Sequence, residues 1–265
     1  MHKIVKELII ILGIAVLIWL GIAYLDIFPR HPELISEETE EELGDKYLEA
    51  ILKNPQFTQC TNKFIINSVD SICNRLESAI EDPVYNYNYV VIENSMINAF
   101  TLPGGNIVIT TGLLKYCQTA DELAGIVAHE LGHAQERHII SRLVKELGIE
   151  IITSGDIFVL GEITKTITSS SFDRKQEEKA DEYACKLLQK AKLEPRILAR
   201  LFGRLKEDTQ NNALKNFEIV NSHPNFSSRI KNILAFEVED TNHVDTLKIN
   251  WDEVITALGN SNEEE

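Results

Sequence analysis

Ala128-His129-Glu130-Leu131-Gly132-His133 lies in a run of helix-forming residues that starts near Asp121. On a helix, residues four apart share a face and sit about one turn apart. His129 and His133 can therefore aim ring nitrogens at one metal ion. Glu130, next to the first His, reaches the same place without having to bind. Two His and an adjacent carboxylate base are the spacing of a zinc hydrolase. Leu123, Ile126 and Val127 make the preceding turns apolar, as a buried helix requires.

A catalytic zinc takes three protein ligands and keeps a fourth position for water. The position where a metzincin carries its third His is Ile139, so a carboxylate is sought downstream. Phe172 to Asp181 supplies one. Glu177 and Asp181 share a helix face that Ala184, Cys185 and Leu188 continue into apolar material. Glu178 points about 100° away, toward Lys175 and Glu182. Glu177 is the expected third ligand. Asp181 is placed to accept the free ring N–H of a liganding His and fix its tautomer. His138, about 140° off the zinc face on a continuous helix, reads as a surface residue.

Around this core the pattern predicts an α+β fold, mainly helical with a small β-sheet. Ser36, or Thr39 with Glu42, opens an acidic helix running to about Leu52. A second helix covers Thr61 to Ile80. Tyr89–Glu93, Ala99–Leu102 and Asn106–Thr110 read as short strands, separated by Asn94-Ser95 and Pro103-Gly104-Gly105. Helices follow over Asp121 to about His138, within Ile139 to Ile152, over Asp173–Lys190 and over Pro195–Leu205. Thr153 to Ser171, rich in Gly, Thr and Ser, is a candidate gate. The strand Asn106, Ile107, Val108, Ile109, Thr110 is the expected edge for pairing with an extended peptide substrate.

The chain has 265 residues and a net charge of −15. The acidity disfavours a nucleic-acid partner and docking on anionic lipid by charge. Leu8 to Leu25 is an uncharged run of 18 residues, the length of a transmembrane helix, with Trp19 and Tyr24 toward its far end. Its exit lacks an A-x-A cleavage pattern, which favours an uncleaved anchor over a signal peptide. Lys3 and Lys6 before the span outnumber Arg30 after it, so the N-terminus is expected in the cytoplasm and the large domain outside. The expected organisation is an anchor over 1–28, a linker and acidic helix over 29–58, the peptidase domain over 59–258 and a disordered acidic tail over 259–265. Cys60, Cys73, Cys117 and Cys185 form no C-x-x-C pair; Cys60 and Cys73 could bridge in an oxidising compartment, and buried thiols are the other reading.

Four segments together resemble metallopeptidase family forty-eight, the group of the HtpX, BepA and CaaX prenyl proteases. They are Asn98-Ala99-Phe100-Thr101-Leu102-Pro103-Gly104-Gly105 continued by Val108 to Leu114, Glu122 to His133, Arg174 with Glu177, Ala180 and Asp181, and Ser222-His223-Pro224 with Arg229-Ile230. The resemblance implies a gluzincin-type zinc endopeptidase with one Zn2+. It assigns His129, His133 and Glu177 as ligands, Glu130 as catalytic base, and Asp181 and Arg174 as supports of that site. It places His223 beside the metal, on the oxyanion or in the open zinc position of a closed form. Asp173 stands where the family commonly has Ser, and Lys179 where an acidic residue is common. With the anchor, the resemblance implies a single-pass protease acting on envelope or membrane-associated proteins, in quality control. The alternative is a zinc-holding, chaperone-like binding module with little proteolysis.

Overall fold

The computed structural model describes residues 35–55, 57–148, 171–211, 218–238 and 244–260, with Gly13 and Ile152. The chain divides into two compact units, 1–34 and 35–265, and the second holds the sheet and its surrounding helices. Apart from Gly13, the expected anchor over 1–28 lies outside the described residues, as do the candidate gate over 153–171 except Ser171 and the expected disordered tail over 259–265 except Gly259 and Asn260, which are helical. Among the described residues no helix is long and apolar enough to cross a membrane.

Helix α1, Glu37–Leu52, opens on Ser36, whose hydroxyl accepts from Thr39 N at 3.2 Å. Glu37, Glu38 and Glu40 occupy its first turn, where the helix dipole favours carboxylates. Leu43, Tyr47 and Ile51 pack into the core, so this helix belongs to the same compact unit as the domain that follows it. Strand β1, Thr58–Gln59, leads to α2, Lys63–Glu77, capped by Asn62. Then come β2 (Asn88–Glu93), β3 (Ala99–Thr101), a 3-10 turn (Pro103–Gly105) and β4 (Asn106–Thr110). Gly104 takes φ 68°, which a side chain resists, and a Cβ there would meet the α1 backbone at Glu41.

The sheet order is β1-β2-β4-β3. β2 and β4 run parallel, Val90 opposite Val108, while β3 lies antiparallel to β4, Phe100 opposite Val108. Alternate residues point to opposite faces. Val91, Ala99, Ile107 and Ile109 join the larger core with α2 and the helices downstream. Val90, Ile92, Phe100 and Val108 join a second core with α1. Both faces are covered, which is why the strands read as nearly unbroken apolar runs.

This topology corrects the expected substrate edge. Asn106, Ile107, Val108, Ile109 and Thr110 form a central strand, with β2 on one side and β3 on the other. Their backbone groups are spent in two ladders. The edges are the two-residue β1 and β3, and among the described residues no strand pairs with the outer side of β3.

Helices α3 (Thr111–Tyr116), α4 (Ala120–Gln135) and α5 (His138–Leu147) follow. After them come α6 (Arg174–Lys190), α7 (Ile197–Gln210), α8 (Glu218–Ser222), α9 (Phe226–Leu234) and α10 (Trp251–Asn260). Asp173 caps α6 through a capping box with Gln176, so the departure from Ser keeps an N-capping side chain. Lys179 pairs with Glu136, the C-cap of α4, at 2.6 Å. All four cysteines are buried free thiols.

Candidate metal centre

Helices α4 and α6 pack closely at Gly132, where a Cβ would come within 2.8 Å of Ala180 O. Glycine lets the backbones meet there. His133 follows that contact by one residue and Glu177 precedes Ala180 by three, so the approach brings both side chains to one place. His129 joins them from one turn earlier on α4, and His223 arrives from the turn after α8. One ligand atom from each of His129, His133, Glu177 and His223 lies within 4.8 Å of all the others, and all four residues are buried.

The distances fix the roles of the ring nitrogens. His129 Nδ1 stands 3.0 Å from Asp181 Oδ1, so it carries the proton and donates. That leaves His129 Nε2 as a lone pair, 3.1 Å from His133 Nε2 and 3.6 Å from Glu177 Oε2. His133 Nε2 lies 3.5 Å from Glu177 Oε1. Electron pairs of imidazole and carboxylate thus converge on one point, an arrangement that a cation stabilises. The donor set, neutral imidazole nitrogens with a carboxylate oxygen, fits zinc.

Glu130 is fully buried beside this cluster. Its Oε2 accepts from the Thr101 hydroxyl at 2.7 Å. Its Oε1 makes no hydrogen bond, and His223 Nε2 stands 3.4 Å away. An unbonded carboxylate oxygen at such a position is available to take a proton.

Burial acts on every ionisable group here, and neighbours decide the outcome. For Glu177 burial pushes the carboxyl up, but His223 and then Arg229 outweigh it and hold it well below the usual range. For Asp181 burial is again overcome, chiefly by Arg229. His223 is raised because Glu177 outweighs the effect of burial. Burial pushes His133 well down and His138 down to about 4.

Two expectations are corrected. Arg174 lies on the exposed side of α6 and pairs with Glu178 at 2.9 Å, one turn along, away from the cluster. In the first turn of α6 it stands about 60° round the helix from Glu177, on the Glu178 side, and its side chain extends along that exposed face. His138 is buried, with Nδ1 3.0 Å from His133 Nδ1. The surface reading assumed one continuous helix, but α4 ends at Gln135 and Arg137 turns the chain at φ 52°. His138 then opens α5 and folds back over His133.

Arg229 is the residue whose role sequence reasoning missed. Its Nη1 lies 2.6 Å from Glu177 Oε2, and its Nε and Nη2 hold Asp181 Oδ2 and Oδ1 at 2.8 and 2.7 Å. Nη1 also donates to His223 O at 3.2 Å, and the guanidinium lies 4.2 Å over the Phe202 ring. A signal was present: Arg229 falls on the same α9 face as Phe226 and Ile233, where an apolar residue is expected.

A model of the family described as Peptidase family M48 matches residues 66–237. The mitochondrial metalloendopeptidase OMA1 of Arabidopsis thaliana is 31% identical over 150 residues, 55% of this chain and 30% of that protein. The beta-barrel assembly-enhancing protease of Yersinia pestis is 25% identical over 221 residues, 74% of this chain and 43% of that one. Metalloprotease LoiP of Escherichia coli K12 is 26% identical over 174 residues, 62% and 67% of the two chains. The matches to the first two span less than half of their length.

Proposed function

The chain belongs to peptidase family M48, and on that footing we propose that it is a zinc-dependent endopeptidase. The observation that carries this reading is the convergence of His129, His133, Glu177 and His223 with Glu130 beside them. His129, His133 and Glu177 would hold the zinc. When bound, zinc would supply Lewis acidity, lowering the pKa of a water to about 7 and polarising a carbonyl. Glu130 Oε1 takes the proton of the attacking water and later delivers it to the leaving amine nitrogen. Asp181 keeps the His129 ring turned and its Nδ1 protonated. His223 donates toward the developing oxyanion, a role typically worth about 2.7–4 kcal/mol.

The substrate lies along β3. In the observed register Phe100 faces Val108 and Leu102 N bonds Asn106 O, so the backbone groups of Ala99 and Thr101 point to the outer side. Main-chain pairing there gives affinity with loose sequence preference. Residues 1–28 tether the enzyme to a membrane, with the catalytic unit extracytoplasmic by the lysine asymmetry. Its substrates are then envelope or membrane-associated proteins, a reading that a relative named for beta-barrel assembly supports.

Thr101 bridges the two parts of this reading. Its hydroxyl orients the Glu130 carboxylate from the substrate strand. Thr101→Val keeps the shape and removes one hydrogen bond to a charged group, a loss of about 1.5–3 kcal/mol. We expect kcat to fall about 10-fold or more with zinc content unchanged. An unaltered kcat removes Thr101 from the machinery.

A second reading has its own observation. His223 Nδ1 lies 3.2 Å from His129 Nε2 and 2.9 Å from Glu177 Oε1, within the cluster. A His that stayed there would make a zinc-holding module with little turnover. Casein hydrolysis by the zinc-loaded protein separates the two. The endopeptidase is active, loses activity to a chelator and recovers it with zinc. The holding module is inactive and gains activity in His223→Ala. Inactivity of both forms with stoichiometric zinc overturns the peptidase reading.

A further inference from the structure

We propose that His138 is a positioning residue for the metal centre: it accepts the Nδ1–H of His133 and so fixes the tautomer that presents Nε2 to zinc. This rests on the proposed role of His133 as a ligand. The two Nδ1 atoms are 3.0 Å apart, a hydrogen-bond distance at which one proton must be shared between two ring nitrogens. If His138 were the donor, His133 would carry its own proton on Nε2, aimed at His129 Nε2 and Glu177 Oε1. That tautomer has no lone pair to give a metal. Zinc at Nε2 requires His133 to donate and His138 to accept.

The chain is built to hold this geometry. Arg137 adopts a left-handed conformation at φ 52°, a strained state for a residue with a side chain. Its guanidinium is anchored by the buried Glu40 of α1, with Nε 2.8 Å from Oε1. The turn returns His138 to the His133 ring instead of letting the helix carry it outward. Phe172 stacks on His133 at 3.8 Å and 25°, and Arg142 lies 4.2 Å over the Phe172 ring. The His133 ring is thus held against rotation by Phe172 and oriented by His138.

The two zinc histidines are therefore supported differently. His129 donates to the carboxylate of Asp181. His133 donates to an imidazole, and among the described residues no carboxylate forms an ion pair with His138. A neutral acceptor pulls less on the shared proton than a carboxylate does, so His133 is the less basic ligand.

The test uses the full chain and zinc itself. Zinc affinity is measured by competition with a chromophoric chelator for the parent, His138→Leu and His138→Asn. Loss of the acceptor in His138→Leu raises the zinc Kd about 10–100-fold. His138→Asn places Oδ1 near the position of Nδ1 and restores most of the affinity. Equal affinity of His138→Leu and parent overturns the proposal, and so does a loss in His138→Asn as large as in His138→Leu, which marks a packing role. If His138→Leu does not fold, ring 15N–1H spectra of the zinc-loaded parent decide. A proton on His133 Nδ1 and none on His138 Nδ1 supports the assignment, and the reverse overturns it. A parent that binds no zinc fails the zinc reading itself. A parent that binds zinc with indifferent His138 variants fails this inference alone.

Discussion

Glu130→Gln abolishes casein hydrolysis and leaves zinc content at the parent level. Gln has the shape of Glu, so the Thr101 hydroxyl can still donate to its side-chain oxygen and the buried site keeps its packing. None of the groups holding His129, His133 or Glu177 changes. What disappears is the proton acceptor at the Oε1 position, because an amide cannot take a proton at neutral pH. A positioned general base contributes typically about 100- to 10,000-fold. Here the same oxygen both receives the water proton and returns it to the leaving nitrogen, so one substitution removes both transfers. Hydrolysis rates with metal analysis on the same samples check this. Turnover near the parent's with zinc in place excludes Glu130 as base. Loss of zinc together with turnover would place Glu130 among the groups that build the site.

The zinc face was legible because it depends on helix geometry alone. His129 and His133 are four apart, Glu177 and Asp181 are four apart, and each pair lies on one face of a real helix. The pairing of those helices depends on Gly132 and Ala180, which no spacing rule relates. Three of the four strands were also visible, within a residue or so of their bounds, and the two-residue β1 was not. Their order was not, because chain order and sheet order differ: β4 inserts between β2 and β3. Asn106 to Thr110 carries no sequence mark that separates an edge from a centre, and all five of its residues are buried between β2 and β3. His138 escaped for a backbone reason. No Gly or Pro marks the break after Gln135; an Arg takes the left-handed turn, stabilised by Glu40 from a helix almost a hundred positions earlier. Arg229 escaped because a buried charge becomes intelligible only when its two carboxylate partners from another helix are seen.

Arg229→Met destabilises the zinc-free protein by about 3–5 kcal/mol, the cost of leaving a buried charge unpaired. Glu177 and Asp181 are 1% and 3% exposed, and one guanidinium serves both. Methionine fills similar space against Phe202 and Phe226 but offers no charge, so two carboxylates lose their shared partner. Zinc supplies positive charge at Glu177, and the deficit narrows in the loaded protein by the linkage between binding and stability. The effect has a pH signature. In the parent, both carboxyls have folded pKa values below their ordinary ones, so their stabilisation is complete above the unfolded pKa near 4 and is lost as pH falls through the folded values. In the variant, the guanidinium no longer opposes the burial of Asp181, and its folded pKa rises above the unfolded one. The penalty is then largest at neutral pH and relaxes as Asp181 protonates. Urea unfolding in chelator at pH 7 and pH 5 measures both quantities. The gap between parent and variant shrinks at the lower pH, and Arg229→Lys, which keeps the charge without the bidentate fork, falls between them. A loss below about 1 kcal/mol at pH 7, within the range of an exposed ion pair, would show that this buried network does not hold the site together.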